Sequence, residues 1–235
     1  KSGKHDEAFY AAMRRSLASG QNFRATFINR RRDGSLYHAE QSISPIFGEK
    51  GRISHYVSVS KDITKRVERE QALLRAATKD KLTGLHNRHH GEQLLAERYR
   101  TARTLQRPLT LVMCDIDHFK RINDEFGHPT GDRVLAEVAD MLRQAVRSRD
   151  AVIRWGGEEF MIVLDECSQT DTVDLAKRIL DRVNAHEDGE VPALTLSLGL
   201  ATLAPDEAID ELIARADSAL YEAKRTGRNR LSIAT

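Results

Sequence analysis

The run Leu109-Thr-Leu-Val-Met-Cys-Asp-Ile-Asp117 is apolar almost to its end and then carries two carboxylates. Read as a strand, it sends Asp115 and Asp117 to one face and Ile116 to the other. Two like charges at the end of a buried strand repel unless a cation stands near them. An all-oxygen donor set suits Mg²⁺, which takes one or two carboxylates and leaves places for phosphates. The plainer alternative is a strand that runs out into a solvated acidic loop. A second stretch, Arg154-Trp-Gly-Gly-Glu-Glu-Phe160, sharpens the choice. Gly156-Gly157 is a favoured hairpin turn, and its bare backbone would let a bulky ligand lie close. The turn does not account for Glu158 and Glu159 opening a strand that continues Phe-Met-Ile-Val-Leu, because carboxylates beside a buried strand need pairing. By alternation the two glutamates point opposite ways, so at most one of them is expected beside Asp115 unless the strand is bulged.

Other residues suit phosphate and base recognition. Phe119 and Lys120 open a helix, where free amides and a lysine would hold an anion. Asp132 precedes a helix expected over Arg133–Val146 and reads as its N-cap; the alternative is a carboxylate accepting both N1–H and N2–H of guanine. Asn123 stands nine residues before it. Lys224 and Arg228, at the end of the last expected helix, answer either the helix dipole or a phosphate. His86, His89 and His90 fit no metal-ligand spacing and read as surface histidines near a helix start.

The elements that must position these groups follow from periodicity. A helix over 5–19 leads to strands Asn22–Arg30, Ser35–Phe47 and Ile53–Ile63, turned at Asp33-Gly34 and Gly48–Gly51. Such a meander needs one face covered. Residues 63–80 form a polar helical run whose Ile63, Val67, Leu74 and Ala77 make a thin seam; a solvated connector helix explains it equally well. Beyond Asp80 the pattern is helix 89–104, strand 109–117, short helix 118–126, helix 133–146, a hairpin over 151–164, helix 171–186, strand 194–202, helix 207–225 and strand 230–233. That alternation implies a sheet with helices packed against it, an α+β domain.

Composition limits the rest. The 235 residues are 40% hydrophobic and 31% charged, which excludes a disordered chain, and no apolar run is long enough to cross a membrane. A net charge of +2 without a basic, aromatic-laced stripe argues against a nucleic-acid partner. Residues 1–62 hold 11 Lys and Arg against 6 Asp and Glu, so the remainder is net acidic and two dissimilar domains are expected. Cys114 and Cys167 form no framework, and a reducing cytoplasm fits. The start at Lys1, without Met or signal core, reads as a cut from something longer.

Together the motifs resemble a family. Asp80-Lys-Leu-Thr-Gly-Leu-His-Asn-Arg88, Asp115-x-Asp-x-Phe-Lys-x-x-Asn-Asp-x-x-Gly-His-x-x-Gly-Asp132, Gly156-Gly-Glu-Glu-Phe160, Ser197-Leu-Gly199 and Tyr221-x-Ala-Lys-x-x-Gly-Arg-Asn229 are similar to the GGDEF domain of diguanylate cyclases. Residues 1–64, from Arg30-Arg-Arg-Asp-Gly34 to Asp62-Ile-Thr64, resemble the C-terminal part of a PAS sensor domain, an α/β fragment. The resemblance implies three parts: the sensor fragment over 1–64, a linker helix over 65–79, and a ferredoxin-like, palm-type cyclase domain over 80–235 with a mostly antiparallel sheet.

It implies the condensation of two GTP into cyclic di-GMP and two pyrophosphates at a two-fold interface of a homodimer. By the same resemblance, Asp115, Glu158 and the Ile116 carbonyl hold Mg²⁺ or Mn²⁺, and the base is Glu158 or Glu159, metal ligation depressing basicity. Asn123 and Asp132 contact guanine, with His128 in the same segment. Phe119, Lys120, Lys224 and Arg228 hold phosphate, and the nucleotide packs on Gly156 and Gly157. Arg147-Ser-Arg-Asp150 matches the family's inhibitory site, where product binds away from the reaction centre, with Arg178 as a further candidate. The competing expectation is a non-catalytic receptor binding cyclic di-GMP through Arg147 and Asp150.

Overall fold

The first helix starts where the Asp6 carboxylate accepts a hydrogen bond from the Phe9 amide at 2.8 Å, capping α1 (Glu7–Ala18). Three antiparallel strands follow, β1 (Phe23–Arg30), β2 (Leu36–Phe47) and β3 (Ile53–Asp62), in that spatial order. Phe9 meets Phe23 and Phe27 edge-on, with ring centroids 5.8 and 5.1 Å away, so α1 covers part of one sheet face. The β2–β3 side is open: β3 is exposed along nearly its whole length, Val59 to 67%.

The next helix, α2 (Thr64–Thr78), is anchored at its start. Asp62 accepts from the Thr64 amide at 2.9 Å, the Thr64 hydroxyl accepts from the His38 amide at 3.0 Å, and Arg31 pairs with Asp62. The two stretches read as sensor-like, around Arg31 and Asp62, thus touch. Of the expected seam only Ile63 is buried, and Leu74 stands 65% exposed. The far end of α2 is held too. Asn87, the N-cap of α3 (Arg88–Leu105), donates from its backbone to the Thr78 carbonyl and from its side chain to Ala77, at 3.1 and 3.0 Å.

This computed structural model describes residues 2–186 and 194–234, and the chain divides into two units, Lys1–Leu74 and Arg75–Thr235. The domain ends expected at Lys1 and Thr235 lie outside the described residues.

In the second unit the elements run β4 (Leu109–Ile116), α4 (Phe119–Phe126), α5 (His128–Ala145), β5 (Ala151–Gly156), β6 (Glu159–Asp165), α6 (Gln169–Asn184), β7 (Leu196–Thr202), α7 (Ile209–Arg225) and β8 (Arg230–Ile233). The sheet order is β5-β6-β4-β7-β8, with β8 parallel to β7 and every other pairing antiparallel. This is the α+β architecture expected from the sequence. Every residue of β4 is buried because both faces are covered. Val112, Cys114 and Ile116 pack with Val134, Val138 and Leu142 of α5. Leu109, Leu111 and Met113 pack with Leu95 of α3 and Leu212, Ala216 and Leu220 of α7. Asp115, in step with the second set, therefore emerges toward α7.

What brings α7 so close is Gly199 of β7. A Cβ there would stand 2.2 Å from the Leu220 amide nitrogen and 2.3 Å from the Ala216 carbonyl oxygen, backbone that cannot give way. One expected boundary is wrong. The helix expected from Arg133 begins at His128, with Pro129 in its first turn, so Asp132 lies inside α5 and does not cap it.

Candidate active site

Asp115 is the centre of the site. It is 6% exposed at the end of β4, and its Oδ2 lies 2.7 Å from the Lys224 Nζ near the end of α7. Burial pushes its carboxyl up to about 6; the Lys224 ammonium pulls the other way, and the charges of Glu158 and Glu159 push it further up. Both glutamates thus act on Asp115, where strict alternation allowed one. The reason is local. β6 begins at Glu159, the register partner of Asp115, while Glu158 belongs to the turn, after a register shift between Arg154 and Gly156. Gly157 has a φ of +49°, and the Ile116 amide donates to the Glu158 carbonyl at 3.4 Å. A turn residue is not bound by the period of two.

Asp117 does not share this cluster. Its carboxylate accepts from the Thr195 and Ser197 hydroxyls, each at 2.7 Å, and from the Asn229 amide at 3.0 Å. The repulsion expected between the two aspartates is relieved by protein donors, and Asp115 alone faces Lys224.

The donor set around Asp115 fits a hard divalent cation. Glu159 is the register partner of the buried Asp115, Glu158 adjoins it in the turn, and Asp115 holds its proton more tightly than usual. Among the described residues no group of three or more His, Cys, Asp or Glu is placed to hold a metal ion. Mg²⁺ seldom uses such a set, since it keeps places for water and phosphate.

Around this centre the predicted binding residues separate by element. The Phe119 side chain is buried in the core, so packing is its role, and only its backbone stands at the start of α4, which has no side-chain cap. Lys120 is exposed one residue on. Asn123 of α4 lies directly over Gly131 of α5, where an added Cβ would fall 2.0 Å from its Oδ1. The exposed Asp132 follows that glycine, and the exposed His128 begins the same helix. Gly156 and Gly157 are exposed, with open space where side chains would be. Arg228 is exposed in a left-handed turn at φ +57°.

Arg147 and Asp150 stand apart, in the turn after α5. The Asp150 carboxylate accepts from the Arg147 amide at 3.0 Å, leaving the Arg147 side chain in solvent. Arg178 of α6 lines the same small depression as both. Of the three histidines, His86 is half-buried, lies 4.9 Å from the His90 ring and has its titration pushed down to about 4, first by burial and then by Lys79. Cys114 is fully buried, and burial pushes its thiol far up.

One functional contact escaped the sequence reading. Arg154 reaches both Asp80 oxygens, at 3.0 and 3.2 Å, and also donates to the Gly157 carbonyl from Nε and Nη2 at 3.0 and 2.8 Å. Asp80 in turn accepts from the Thr83 amide and hydroxyl. The glycine turn is thereby tied to the segment that follows α2. Both residues lie in motifs quoted above, but 74 positions separate them and no local spacing pairs them.

The chain is similar to known proteins in both its units. Residues 77–230 match the diguanylate cyclase GGDEF domain and residues 3–65 a PAS domain. Diguanylate cyclase DgcM of Escherichia coli O157:H7 is 36% identical over 207 residues, covering 87% of this chain and 50% of that protein. Diguanylate cyclase DgcP of Pseudomonas aeruginosa is 41% identical over 169 residues, 67% of this chain and 24% of that one. The chain thus spans half or less of the length of these curated relatives. Among solved structures, the coiled coil and GGDEF domain of DgcB from Caulobacter crescentus, in complex with c-di-GMP, superposes with a TM-score of 0.69 at 31% identity, covering 73% of this chain and 93% of that one. The active GGEEF domain of a diguanylate cyclase from Vibrio cholerae gives 0.58 at 36% identity, covering 61% and 96%. With the strand-end carboxylate, the glutamate turn and the α7 lysine in one place, the chain belongs to the GGDEF diguanylate cyclase family, with a PAS segment before the GGDEF domain.

Proposed function

We propose that the chain condenses two GTP molecules into cyclic di-GMP, releasing two pyrophosphates. The observation that carries this is the buried Asp115 carboxylate held 2.7 Å from Lys224, with Glu159 as its register partner and Glu158 in the adjoining exposed glycine turn. A structural sheet end has no use for that cost.

In this reading each 3′-hydroxyl attacks the α-phosphate of the other nucleotide, its proton passes to Glu158 or Glu159, and pyrophosphate leaves. Positioning and charge neutralisation do most of the work. Asp115, Glu158 and the Ile116 carbonyl would hold Mg²⁺ or Mn²⁺, which when bound offsets phosphate charge. Lys224, Arg228, Lys120 and the amides that start α4 hold the phosphates. Asn123 and Asp132 read guanine, and α5 running through Asp132 leaves that carboxylate free of capping. One domain binds one GTP and the product is two-fold, so two copies face each other as a homodimer.

Arg147 and Asp150, with Arg178, take product as an inhibitor. Residues 1–64 act as the sensor portion, 65–79 as the linker and 80–235 as the cyclase, working in the cytoplasm, where the unpaired Cys114 and Cys167 stay reduced. Among the described residues no helix is long and apolar enough to cross a membrane.

The test is incubation of the chain with GTP and Mg²⁺ and chromatographic separation of products. Cyclic di-GMP is expected, and Glu158→Ala should abolish it while nucleotide still binds. Bound cyclic di-GMP without turnover would instead establish the receptor.

A further inference from the structure

Asp115 and Asp117 leave β4 on the same side, yet the second carboxylate has no part in the cluster. Its three donors come from two places. Thr195 and Ser197 lie at the start of β7, and the Asp117 amide donates back to the Thr195 carbonyl at 3.0 Å. The third donor, the Asn229 amide, belongs to the turn between α7 and β8.

That turn is an unusual one. Gly227, Arg228 and Asn229 all have positive φ, +123°, +57° and +46°. Arginine gains nothing from the left-handed region, so two consecutive non-glycine residues there persist only where surrounding contacts hold them. The contacts are few: the Arg228 amide donates to the Ala223 carbonyl at 3.0 Å, the Arg228 carbonyl accepts from the Arg230 Nε at 3.0 Å, and the Asn229 amide reaches Asp117. Of these, only the last ties the turn to β4.

We infer that Asp117 is a positioning residue. Through the Asn229 amide it fixes the left-handed hook that presents Arg228, so that Arg228 and Lys224 stand over the same strand end. The inference deepens the proposed function and rests on Arg228 as a phosphate ligand. The two aspartates anchor different parts of this corner. Asp115 holds the Lys224 side chain, and Asp117 holds the backbone amide five residues beyond it.

The test is steady-state kinetics of the 235-residue chain with GTP. A phosphate contact made equally in ground and transition states appears in KM and spares kcat. Asp117→Ala should raise KM for GTP roughly tenfold, the scale of one buried hydrogen bond to a charged group, with kcat changed far less. Arg228→Ala should do the same, and the double variant should be no worse than Arg228→Ala alone. Asp117→Asn should recover most of the loss, because one amide oxygen can accept from Asn229 while the Ser197 hydroxyl turns to accept.

Asn229→Val, at an exposed position that leaves the buried carboxylate intact, should open the hook by backbone strain and raise KM similarly. This variant keeps the question answerable if Asp117→Ala does not fold. An unchanged KM in Asn229→Val, or effects of Asp117→Ala and Arg228→Ala that multiply, overturns the inference. A wild-type chain that makes no cyclic di-GMP overturns the reading of the site instead. The hook is then read by exchange of the Asn229 amide, expected slow in wild type and fast in Asp117→Ala.

Discussion

The two sheets differ in how many of their faces are covered. In the five-stranded sheet, β4 is buried end to end between α5 on one side and α3 and α7 on the other. In the three-stranded sheet, α1 lays an aromatic cluster over β1, and β3 is exposed almost throughout. A sheet packed on both faces fixes each side chain by many neighbours, which allows it to keep an unfavourable buried carboxylate in place. A sheet with an open face cannot impose that. The candidate site sits in the first kind, and substitutions should be felt unequally in the two.

Trp155 is the single tryptophan, and Arg88 lies over its ring at 4.8 Å, so its fluorescence reports on the five-stranded unit alone. The largest effect expected is at Gly199. Gly199→Ala drives a methyl group into the α7 backbone and should cost about 3 kcal/mol or more in denaturant unfolding followed through Trp155, with cyclic di-GMP synthesis lost as Lys224 moves away. A loss below about 1 kcal/mol would mean that the contact between α7 and β7 is not the constraint described.

Next comes Asp115. Its carboxyl titrates near 6, above the ordinary 3.8, so the folded state prefers the protonated form and stability falls as pH rises through that range. Without added metal at about pH 7.5, Asp115→Asn should therefore be more stable than wild type by on the order of 2 kcal/mol, and catalytically dead. A destabilised variant would show that the Lys224 pair outweighs desolvation.

His86 has the opposite sign. Its titration lies near 4, below the ordinary 6.5, so the neutral ring contributes stability above pH 6.5 that is lost as pH falls toward 4. His86→Gln should flatten that part of the stability profile. A profile equally steep without His86 would assign the loss to other groups. The smallest effect belongs to the open face. Val59→Ser should change unfolding by less than about 0.5 kcal/mol and leave the Trp155 transition in place. A larger cost would show that the exposed face of β3 is covered in solution.

The legible part of the site was the part written along single strands and turns. Asp115 at the end of an apolar run, the glutamates after two glycines and Lys224 near a helix end are visible because each stands where one element stops. The start of α5 was misplaced because its apolar face begins only at Val134, whereas the helix itself starts at His128 with Pro129 in its first turn. The glutamates were expected on opposite faces unless the strand was bulged, and the register shift beside Gly156 is such an irregularity, a product of pairing that composition does not encode. The Arg154 bridge to Asp80, the approach of α7 to Gly199 and the three donors on Asp117 join segments far apart in the chain. Such contacts have no period to read.

The pairing of Lys224 with Asp115 has a bearing on how the chain folds. A carboxylate held this far from water would oppose folding in a newly synthesised chain that has not yet met its ligands. Here a counter-charge arrives with α7 of the same unit. The lysine offsets part of that cost without an ion, and what is left is the preference for the protonated acid that keeps the Asp115 carboxyl near 6.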